Sequence, residues 1–224
     1  MSLKWFVTGT DTGVGKSLVS AALLCAMAAR GMKVAGMKPV ASGARVANGV
    51  VSNEDVDLLL RYSSCPGLDA TSINPYVFTP PVAPHLAARQ AGISVRFSTI
   101  RQALHRLESL ADAVVIEGAG GLLVPLGEEG SMADLCVFLQ APIILVVGVR
   151  LGCINHALLT VEALQARGLH LTGWVANCLE RHMLEFSGNM ATLEERIEAP
   201  LLGTIPFQPG ISVEEVSRML TPVC

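Results

Sequence analysis

Short apolar runs alternate with helical stretches along the whole chain. In the first half, strands are predicted at residues 5–8, 34–37 and 113–117, and helices at residues 17–30, 54–62 and 98–110. In the second half, strands are predicted at residues 143–149, 171–176 and 202–205, and helices at residues 155–167, 183–198 and 213–220. Strands that alternate with helices form crossover units, so the pattern predicts an α/β fold built on a parallel sheet.

The predicted strand at residues 143–149 consists of apolar residues and one glycine. A continuous apolar run is expected when helices cover both faces of a parallel sheet. The proline-rich residues 74–84 are predicted to be an extended loop that leads into a helix from about His85. No repeat, low-complexity run or linker divides the sequence, so we expect a single domain over residues 1–224.

The composition of the chain limits the kinds of molecule that the protein is expected to bind. Hydrophobic residues make up 51% of the chain and aromatic residues only 4%, so Ala, Leu, Val and Ile must build the interior. The formal net charge is −3 and 16% of the residues are charged. Because this surface could not neutralise many phosphates at once, we expect no nucleic-acid partner. The low charge leaves apolar surface that a second copy could cover, so we expect a homo-oligomer, at least a dimer.

The six cysteines lie far apart and form no Cys-x-x-Cys pair, which favours reduced thiols. The longest apolar stretches, residues 18–29 and 141–149, are shorter than the ~20 residues that cross a bilayer. The first predicted strand begins so early that it leaves no room for a signal peptide. We therefore expect a cytoplasmic protein with no membrane partner.

Ligands of open parallel sheets bind beyond the carboxyl ends of the strands, so the residues that follow each strand are candidates for function. The first strand leads into the glycine-rich residues 9–17, Gly-Thr-Asp-Thr-Gly-Val-Gly-Lys-Ser, and then a helix. Backbone N–H groups there can surround a phosphate, Lys16 can reach the outer phosphates, and the Ser17 hydroxyl can bind Mg²⁺. Five residues separate Gly9 from Gly15, one more than in the standard phosphate loop. The alternative is a glycine-rich turn that caps a helix, but the order of elements favours a P-loop NTPase-like fold.

Two carboxylates are candidate metal ligands. Glu117 ends an apolar strand and precedes a glycine-rich turn, so it would face the phosphate loop and could hold Mg²⁺ directly or through water. Its alternative role is to cap a local turn. Asp55 is the weaker candidate, because taken alone it resembles a helix N-cap.

Lys38 ends the second predicted strand, and Pro39 blocks a helical continuation. A second lysine near the phosphate loop suits a site where negative charge develops during a reaction. The alternative is a solvated surface lysine, the usual state of this residue. Ser42 supplies a polar contact in the same loop. We expect Lys16 and Lys38 to lie at the solvent-facing edge of the sheet.

Nine short blocks follow one another from the first strand to about Phe207 and so span nearly the whole chain. They are Val-Thr-Gly-Thr-Asp-Thr-Gly-Val-Gly-Lys-Ser (7–17), Lys-Pro-Val-Ala-Ser-Gly (38–43), Asn-Glu-Asp (53–55), Asn-Pro-Tyr (74–76), Pro-His (84–85), Glu-Gly-Ala-Gly-Gly (117–121), Leu-Gly-Cys-Ile-Asn-His (151–156), Gly-Trp-Val-Ala-Asn (173–177) and Pro-Leu-Leu-Gly-Thr-Ile-Pro (200–206). In these blocks and their order, the chain resembles the dethiobiotin synthetase family.

The resemblance implies a ligase of biotin synthesis that uses ATP as co-substrate and Mg²⁺ as cofactor. 7,8-Diaminopelargonate reacts with CO₂ to give a carbamate, ATP phosphorylates the carbamate to a carbamic-phosphoric anhydride, and the second amine closes the ureido ring. The products are dethiobiotin, ADP and phosphate. In this reaction Lys16 and Lys38 would stabilise the charge on the carbamate and the transferring phosphoryl group, and Ser42 would contact the diamine.

The resemblance also assigns binding residues. Ser17, Asp55 and Glu117 would surround Mg²⁺. Asn177 would contact the adenine through its amide, beside an apolar wall from Pro206 and Phe207. The residues that would bind ATP are Gly13, Val14, Gly15, Lys16, Ser17, Leu18, Asp55, Glu117, Gly118, Ala119, Gly120, Asn177, Pro206 and Phe207.

The family uses the segment from residue 152 to residue 155 from the neighbouring subunit, so the resemblance implies a homodimer with a shared active site. N–H groups at the predicted helix start could hold the carboxylate of the substrate's aliphatic tail. The residues concerned are Gly152, Cys153, Ile154 and Asn155. Residues 179–190 and the tail after residue 207 carry no block that maps onto the family.

The competing interpretation is a nucleotide switch related to the partition ATPases, with no small-molecule substrate. Those proteins carry a second lysine early in the phosphate loop, where this chain has Asp11. A guanine-nucleotide switch would need an Asn-Lys-x-Asp element, which the sequence lacks. A glutamine-dependent cobyrinate or cobyrate amidase would need a glutaminase domain, for which 224 residues leave no space.

Overall fold

The structure, a computed structural model, describes residues 2–221, so the predicted thiol of Cys224 lies outside the described residues. In chain order the strands of this range are β1 (Leu3–Gly9), β2 (Val34–Met37), β3 (Val40–Ala41), β4 (Arg45–Ala47), β5 (Val50–Ser52), β6 (Tyr76–Val77), β7 (Ala113–Glu117), β8 (Pro125–Gly127), β9 (Gly130–Ser131), β10 (Ile143–Val149), β11 (Leu171–Cys178) and β12 (Leu201–Ile205). The helices of the same range are α1 (Lys16–Ala28), α2 (Glu54–Tyr62), α3 (Ala70–Ile73), α4 (Pro84–Gln90), α5 (Phe97–Glu108), α6 (Met132–Leu139), α7 (Cys153–Gln165), α8 (Phe186–Arg196) and α9 (Val213–Met219).

The main sheet has six strands in the order β12-β11-β10-β1-β7-β2. Every neighbouring pair is parallel, which confirms the predicted α/β fold. Strands β2, β7 and β10 have the predicted bounds. Apart from Glu117 at the end of β7, these strands consist of apolar residues and glycine. This composition is expected because both faces of the sheet are covered.

The side chains of β10 show how the two faces are filled. Ile144 and Val146 belong to a hydrophobic cluster that contains residues of α1 and α9. Leu145 and Val147 point to the other face, into a cluster with residues of α7 and α8. Alternation between two clusters confirms that helices flank both faces. Each aliphatic side chain buried in this way stabilises the fold by roughly 1.5–3 kcal/mol.

Some element ends differ from the prediction for local reasons. Helix α8 begins at Phe186, not at residue 183, because Glu185 takes a left-handed conformation with φ 54°. Helix α7 begins at Cys153, two residues early, after Gly152 turns the chain with φ 93°. The proline-rich loop contains the short strand β6, and α4 begins at Pro84. Helix α6 was not predicted, although Ser131 and Asp134 form a capping box at its start.

The register of the sheet brings the candidate residues to one edge. Val7 pairs with Glu117 and Met37 with Ile116, so the chain after β2 and the end of β7 lie beside the turn that follows β1. Gly148 pairs with Asn177 in the same way on the other side of β1. No helix of the described range is long and apolar enough to cross a membrane.

Candidate active site

The loop between β1 and α1 is held against the neighbouring strands. The Thr10 N–H donates to the Val146 carbonyl at 3.0 Å, and the Gly148 N–H donates to the Thr10 hydroxyl at 3.3 Å. Gly15 precedes α1 in a left-handed conformation with φ 90°, which favours glycine. Because the loop leads directly into a helix, N–H groups without helical partners face the space above the sheet.

Lys38 is fixed by its backbone before its side chain enters the site. Its N–H donates to the Ile73 carbonyl at 2.9 Å, and its carbonyl accepts from the buried side-chain amide of Asn74 at 2.6 Å. Its ammonium lies 2.7 Å from Asp55 Oδ2, 2.6 Å from Glu117 Oε1 and 3.3 Å from the Gly118 carbonyl. Lys38 is therefore a buried ion-pair partner and not the solvent-facing residue that we expected.

Ser17 contacts the same two carboxylates. Its hydroxyl lies 2.7 Å from Asp55 Oδ1 and 2.8 Å from Glu117 Oε1. Asp55 is free for these contacts because Asn53, and not Asp55, caps helix α2 by accepting from the N–H groups of Asp55 and Val56. Residues that lie far apart in the sequence thus meet at one point.

Burial and charge together set the ionisation of this cluster. Burial lowers the pKa of Lys38, but the negative charges of Glu117 and Asp55 outweigh it, so that pKa lies above its ordinary value. Burial would raise the pKa of Asp55, but the charge and hydrogen bond of Lys38 hold it below its ordinary value. Burial raises the pKa of Glu117, and Lys38 only partly offsets this effect.

Lys16 is also buried, contrary to the expected solvent-facing position. Its ammonium donates to the main-chain carbonyl of Asp11 at 2.8 Å and not to a carboxylate. Burial, together with the positive charge of nearby Lys38, lowers the pKa of Lys16 to about 8. Such a lysine is charged near neutral pH, and Glu117, Asp55 and Asp11 act on it only through space, so its ammonium suits an incoming phosphate.

These residues line a cavity of about 650 Å³, which is large enough for a small-molecule site. Lys16, Ser17, Lys38, Asp55 and Glu117 all contribute to its wall, together with Gly13, Gly15, Ser42, Ala119 and Gly120. One wall of the cavity was not predicted from the sequence; it comes from the proline-rich loop at residues 81–84 and from Thr12 and Val124. The run of prolines in that loop was the available signal, since an extended chain can pass over a site.

Several predicted nucleotide-binding residues do not line this cavity. Val14 and Gly118 take part through their backbones, since the Val14 carbonyl accepts from the Asn177 amide at 2.8 Å and the Gly118 carbonyl faces Lys38. Leu18 packs against the core. Asn177 pairs with Ile205, so Pro206 and Phe207 emerge beside it at the same sheet edge, and both are exposed.

The segment at residues 152–155 also lies outside the cavity wall. Gly152 and Asn155 are exposed, whereas the Cys153 side chain is buried in the core. The Cys153 N–H donates to the Arg150 carbonyl at 3.0 Å. Any anion at this helix start would therefore meet the following N–H groups and not the Cys153 thiol.

One contact was not predicted from the sequence. Arg150 follows β10, and its guanidinium lies 3.0 Å from Asp11 Oδ2 in the phosphate loop. The other oxygen of Asp11 accepts from the Thr12 N–H at 2.7 Å. Asp11 places a negative charge in a loop that is expected to bind phosphate, and a neighbouring cation offsets that charge. The presence of Asp11 in the sequence was therefore the available indication of a partner such as Arg150.

The site fits a magnesium ion by its donor set. Ser17, Asp55 and Glu117 present only oxygen ligands, and Mg²⁺ is typically held by one or two carboxylates together with substrate phosphates. Glu117 Oε2 is fully buried and has no hydrogen-bond partner within residues 2–221. A serine hydroxyl has one proton, so it cannot donate to Asp55 and Glu117 at the same time, and a cation would satisfy the oxygen left over.

Comparison with known proteins identifies the family. The family model AAA_26, described as an AAA domain, matches residues 4–215. The chain is 49% identical over 217 residues to "ATP-dependent dethiobiotin synthetase BioD" of Aromatoleum aromaticum, with 96% of each protein covered. It is 47% identical to the protein of the same name from Nitrosospira multiformis, with 98% of this chain and 95% of that protein covered. The chain belongs to the dethiobiotin synthetase family.

Comparison of this dethiobiotin synthetase family member with solved structures supports its fold but gives no information on its activity. The MinD cell division protein of Aquifex aeolicus matches with a TM-score of 0.60 at 15% identity and covers 98% of this chain and 88% of that one. A ParA family ATPase of Chlorobium tepidum matches with a TM-score of 0.58 at 12% identity, with 97% and 91% covered. At these identities the likeness shows a P-loop NTPase fold alone, and it does not support the switch interpretation.

Proposed function

We propose that this protein carboxylates 7,8-diaminopelargonate with CO₂ and uses ATP to close the product into dethiobiotin, releasing ADP and phosphate. The observation that carries the proposal is the meeting of Lys16, Ser17, Lys38, Asp55 and Glu117 at one cavity. The chain's near-half identity to dethiobiotin synthetases over almost its full length supports the same reaction.

The chemistry has three steps. One amine of the substrate adds to CO₂ and loses a proton, which gives a carbamate. A carbamate oxygen attacks the γ-phosphorus of ATP, and ADP leaves. The second amine then attacks the carbamate carbon, the C–O bond to the phosphate breaks, and ring closure releases phosphate and a proton. An unactivated carbamate is a poor electrophile, so phosphorylation supplies the leaving group.

In this proposal the phosphate loop receives the triphosphate. The N–H groups of Gly13, Gly15 and the first turn of α1 bind the phosphate oxygens. Lys16 exchanges the Asp11 carbonyl for a phosphate oxygen. This exchange requires only a small movement, because Lys16 already lines the cavity that the phosphates would enter.

The diamine would lie across the cavity from the phosphate loop. Ser42, Lys38 and residues 81–84 line the same cavity as the phosphate loop and would contact the diamine there. The positive charge of Lys38 stabilises the carbamate and the charge that develops during phosphoryl transfer. The protein's contribution is placement and electrostatic stabilisation, with no covalent enzyme intermediate.

Ser17, Asp55 and Glu117 would hold Mg²⁺. When bound, Mg²⁺ neutralises the phosphate oxygens during transfer. The unpartnered Glu117 Oε2 and the oxygen-only donor set support this assignment.

Asn177, Pro206 and Phe207 would frame the adenine. The Asn177 amide already donates to the Val14 carbonyl, so its carbonyl oxygen remains available as an acceptor for the base. Pro206 and Phe207 emerge next to it from β12 and expose apolar surface.

The tail of the substrate would be bound by a second subunit. The N–H groups of Ile154 and Asn155 in the first turn of α7 would bind the carboxylate, since the Cys153 N–H already donates to Arg150, and this segment lies outside the cavity of its own chain. We infer a homodimer in which each subunit supplies residues 152–155 to the other's site. We infer a cytoplasmic location from the use of ATP, and the five cysteines of the described range are free thiols.

The experiment that tests the function measures dethiobiotin by mass spectrometry and phosphate release in parallel. Dethiobiotin should form only with ATP, diaminopelargonate and bicarbonate together, and one phosphate should appear per ring. ATP hydrolysis that ignores both additions would instead support a nucleotide switch. Lys38→Met is the matched variant, because it keeps the length of the side chain but removes the charge that the proposed reaction needs.

A further inference from the structure

The ammonium of Lys38 has no free proton in this structure. A lysine side chain has three N–H donors and no acceptor. The three acceptors within reach are Asp55 Oδ2 at 2.7 Å, Glu117 Oε1 at 2.6 Å and the Gly118 carbonyl at 3.3 Å. Lys38 is only 3% exposed. In this arrangement it cannot donate to a substrate unless it leaves one of these partners.

The partners of Lys38 are also the proposed magnesium ligands. Glu117 Oε1 contacts both Lys38 at 2.6 Å and Ser17 at 2.8 Å, so a metal ion bound by Ser17 and Glu117 would lie within a few ångströms of the ammonium. The two carboxylates carry at most two negative charges. An ammonium and a divalent cation together would leave this cluster with excess positive charge, which is disfavoured because Lys38 and Glu117 are buried, although Asp55 is partly exposed.

We propose that Lys38 is the resident counter-ion of the magnesium site, and that Mg²⁺ and Lys38 exclude one another from Asp55 and Glu117. This inference rests on the proposed metal-binding role of Ser17, Asp55 and Glu117. When the cation binds, Lys38 is displaced from the carboxylates toward the cavity, whose wall it already forms. The same event that completes the metal site thereby frees the lysine that the reaction needs.

The exclusion has a consequence for the order of binding. Without nucleotide, the cation must displace a lysine that is held by two ion pairs, so free Mg²⁺ binds weakly. With nucleotide, the phosphates add negative charge that can accept the displaced ammonium. Mg²⁺ therefore binds together with ATP, because the negative charge of the phosphates stabilises the displaced Lys38 ammonium.

The test measures binding of Mn²⁺ alone, followed by electron paramagnetic resonance in the absence of nucleotide. Lys38→Met should bind Mn²⁺ at least about tenfold more tightly than the unaltered protein, since the competing cation is gone. Lys16→Met is the matched control: it removes the same charge from the same cavity, but its ammonium contacts the Asp11 carbonyl and not a carboxylate. Lys16 acts on Asp55 and Glu117 only through space, so the control should tighten binding by less than about threefold, and the larger gain in Lys38→Met then reports the loss of direct contact.

Two results would overturn the exclusion. One is a Mn²⁺ affinity in Lys38→Met that is no higher than in the unaltered protein. The other is equal tightening in both variants. Glu117→Gln added to Lys38→Met should abolish the tight binding, because the gained ion must sit on Glu117; retention of tight binding would also contradict the proposal.

A second measurement covers the case in which Lys38→Met does not fold, since it leaves Glu117 buried without its ion-pair partner. In the unaltered protein labelled with ¹³C and ¹⁵N at lysine, Mg²⁺ is added to the ADP complex. The Lys38 side-chain resonances, assigned through Lys38→Arg, should shift as Mg²⁺ saturates, while those of exposed Lys33 should not. Unchanged Lys38 resonances at saturation would refute the exchange. Dethiobiotin formation, measured separately, tests the proposed function independently of this result.

Discussion

Lys38 and Glu117 bring opposite charges into the interior of the protein, where ions are rarely found without partners. Taking these groups out of water is costly, and their attraction offsets the cost only because Asp55, Ser17 and the Gly118 carbonyl complete their contacts. Removing one partner of such a pair typically costs about 3–5 kcal/mol. The contacts that stabilise these buried charges are therefore made by the same residues to which we assign the proposed chemistry.

The lowered pKa of Lys16 predicts a pH dependence of nucleotide binding. In the free protein Lys16 is charged below its pKa of about 8 and neutral above it. Phosphate binding favours the charged form of Lys16, so the affinity for a non-hydrolysable ATP analogue should be highest below that pH. It should fall by up to about tenfold per pH unit above it. Calorimetric titration across this range checks the prediction.

Lys16→Arg provides the control for this pH dependence. Arginine stays charged across the whole range, so the alkaline loss of affinity should disappear in the variant that still binds the analogue. An alkaline loss that persists unchanged in Lys16→Arg would assign the titration to another group.

The phosphate loop is held in place by hydrogen bonds to neighbouring strands. Thr10 bonds to β10, Val14 bonds to Asn177 near the end of β11, and Asp11 bonds to Arg150. These contacts come from strands that lie on the opposite side of β1 from Lys38 and Glu117. The loop is therefore positioned by one half of the sheet and faces the Lys38–Glu117 ion pair of the other half.

Gly15→Ala tests the contact between the loop and β11. A methyl group at residue 15 would have an unfavourable positive φ and would collide with the Asn177 amide. We expect a loss of about 2–4 kcal/mol in the free energy of unfolding, the sum of backbone strain and a broken buried hydrogen bond. Thermal or denaturant unfolding measures the loss.

Gly31→Ala is the matched control, because residue 31 has a similar positive φ of 85° but no atom within 4 Å of the added carbon. It should cost only the backbone strain of about 1–2 kcal/mol. Equal losses in the two variants would show that the contact with Asn177 contributes nothing.

Arg150→Met tests the ion pair between β10 and the loop. The pair is about half-exposed, at 42% and 47% of the two side chains, so its contribution is at most about 1 kcal/mol. We expect the KM for ATP to rise by no more than about fivefold with little change in kcat, because Asp11 loses its counter-ion. Steady-state kinetics with varied ATP measures this rise. Arg150→Lys should restore most of the affinity, whereas a fall in kcat at unchanged KM would contradict a positioning role.

At the scale of the whole molecule, the candidate active site lies where the order of the strands in the sheet departs from their order in the sequence. β1 lies between β10 and β7, so the first strand of the chain and its phosphate loop are flanked by two strands from the second half of the chain. The MinD and ParA structures have a similar overall fold at 12–15% identity under different names, so the fold by itself does not define a function. The site residues and not the fold distinguish the synthetase from a switch.

Dilution tests the proposed sharing of residues 152–155 between subunits. If the substrate tail is bound by the second subunit, specific activity should fall in parallel with the dimer fraction, because the monomer lacks part of the site. Activity and mass measured over the same dilution series provide the comparison. A monomer with full specific activity and an unchanged KM for diaminopelargonate would refute the shared site.

Local patterns along the chain predicted all six strands of the main sheet and most of the helices, but not helices α3 and α6 or the short strands β3, β4, β5, β6, β8 and β9. Apolar runs such as residues 143–149 can lie only inside a covered sheet, and glycine with lysine and serine at a strand–helix junction marks a phosphate loop. Pattern also placed Glu117 and Lys38 at strand ends, where parallel sheets bind ligands. The reason is that backbone conformation and the periodicity of apolar positions depend on residue type and near neighbours.

Tertiary structure alone decided which charges meet and how deeply they lie. Lys38, Asp55 and Glu117 are spread over some eighty positions, and only the strand order and the Asn53 cap bring them within hydrogen-bond distance. The burial of both lysines, the cavity wall at residues 81–84 and the Arg150 contact likewise depend on packing between distant segments. Long-range electrostatics and burial are properties of three-dimensional neighbours, which a linear pattern does not contain.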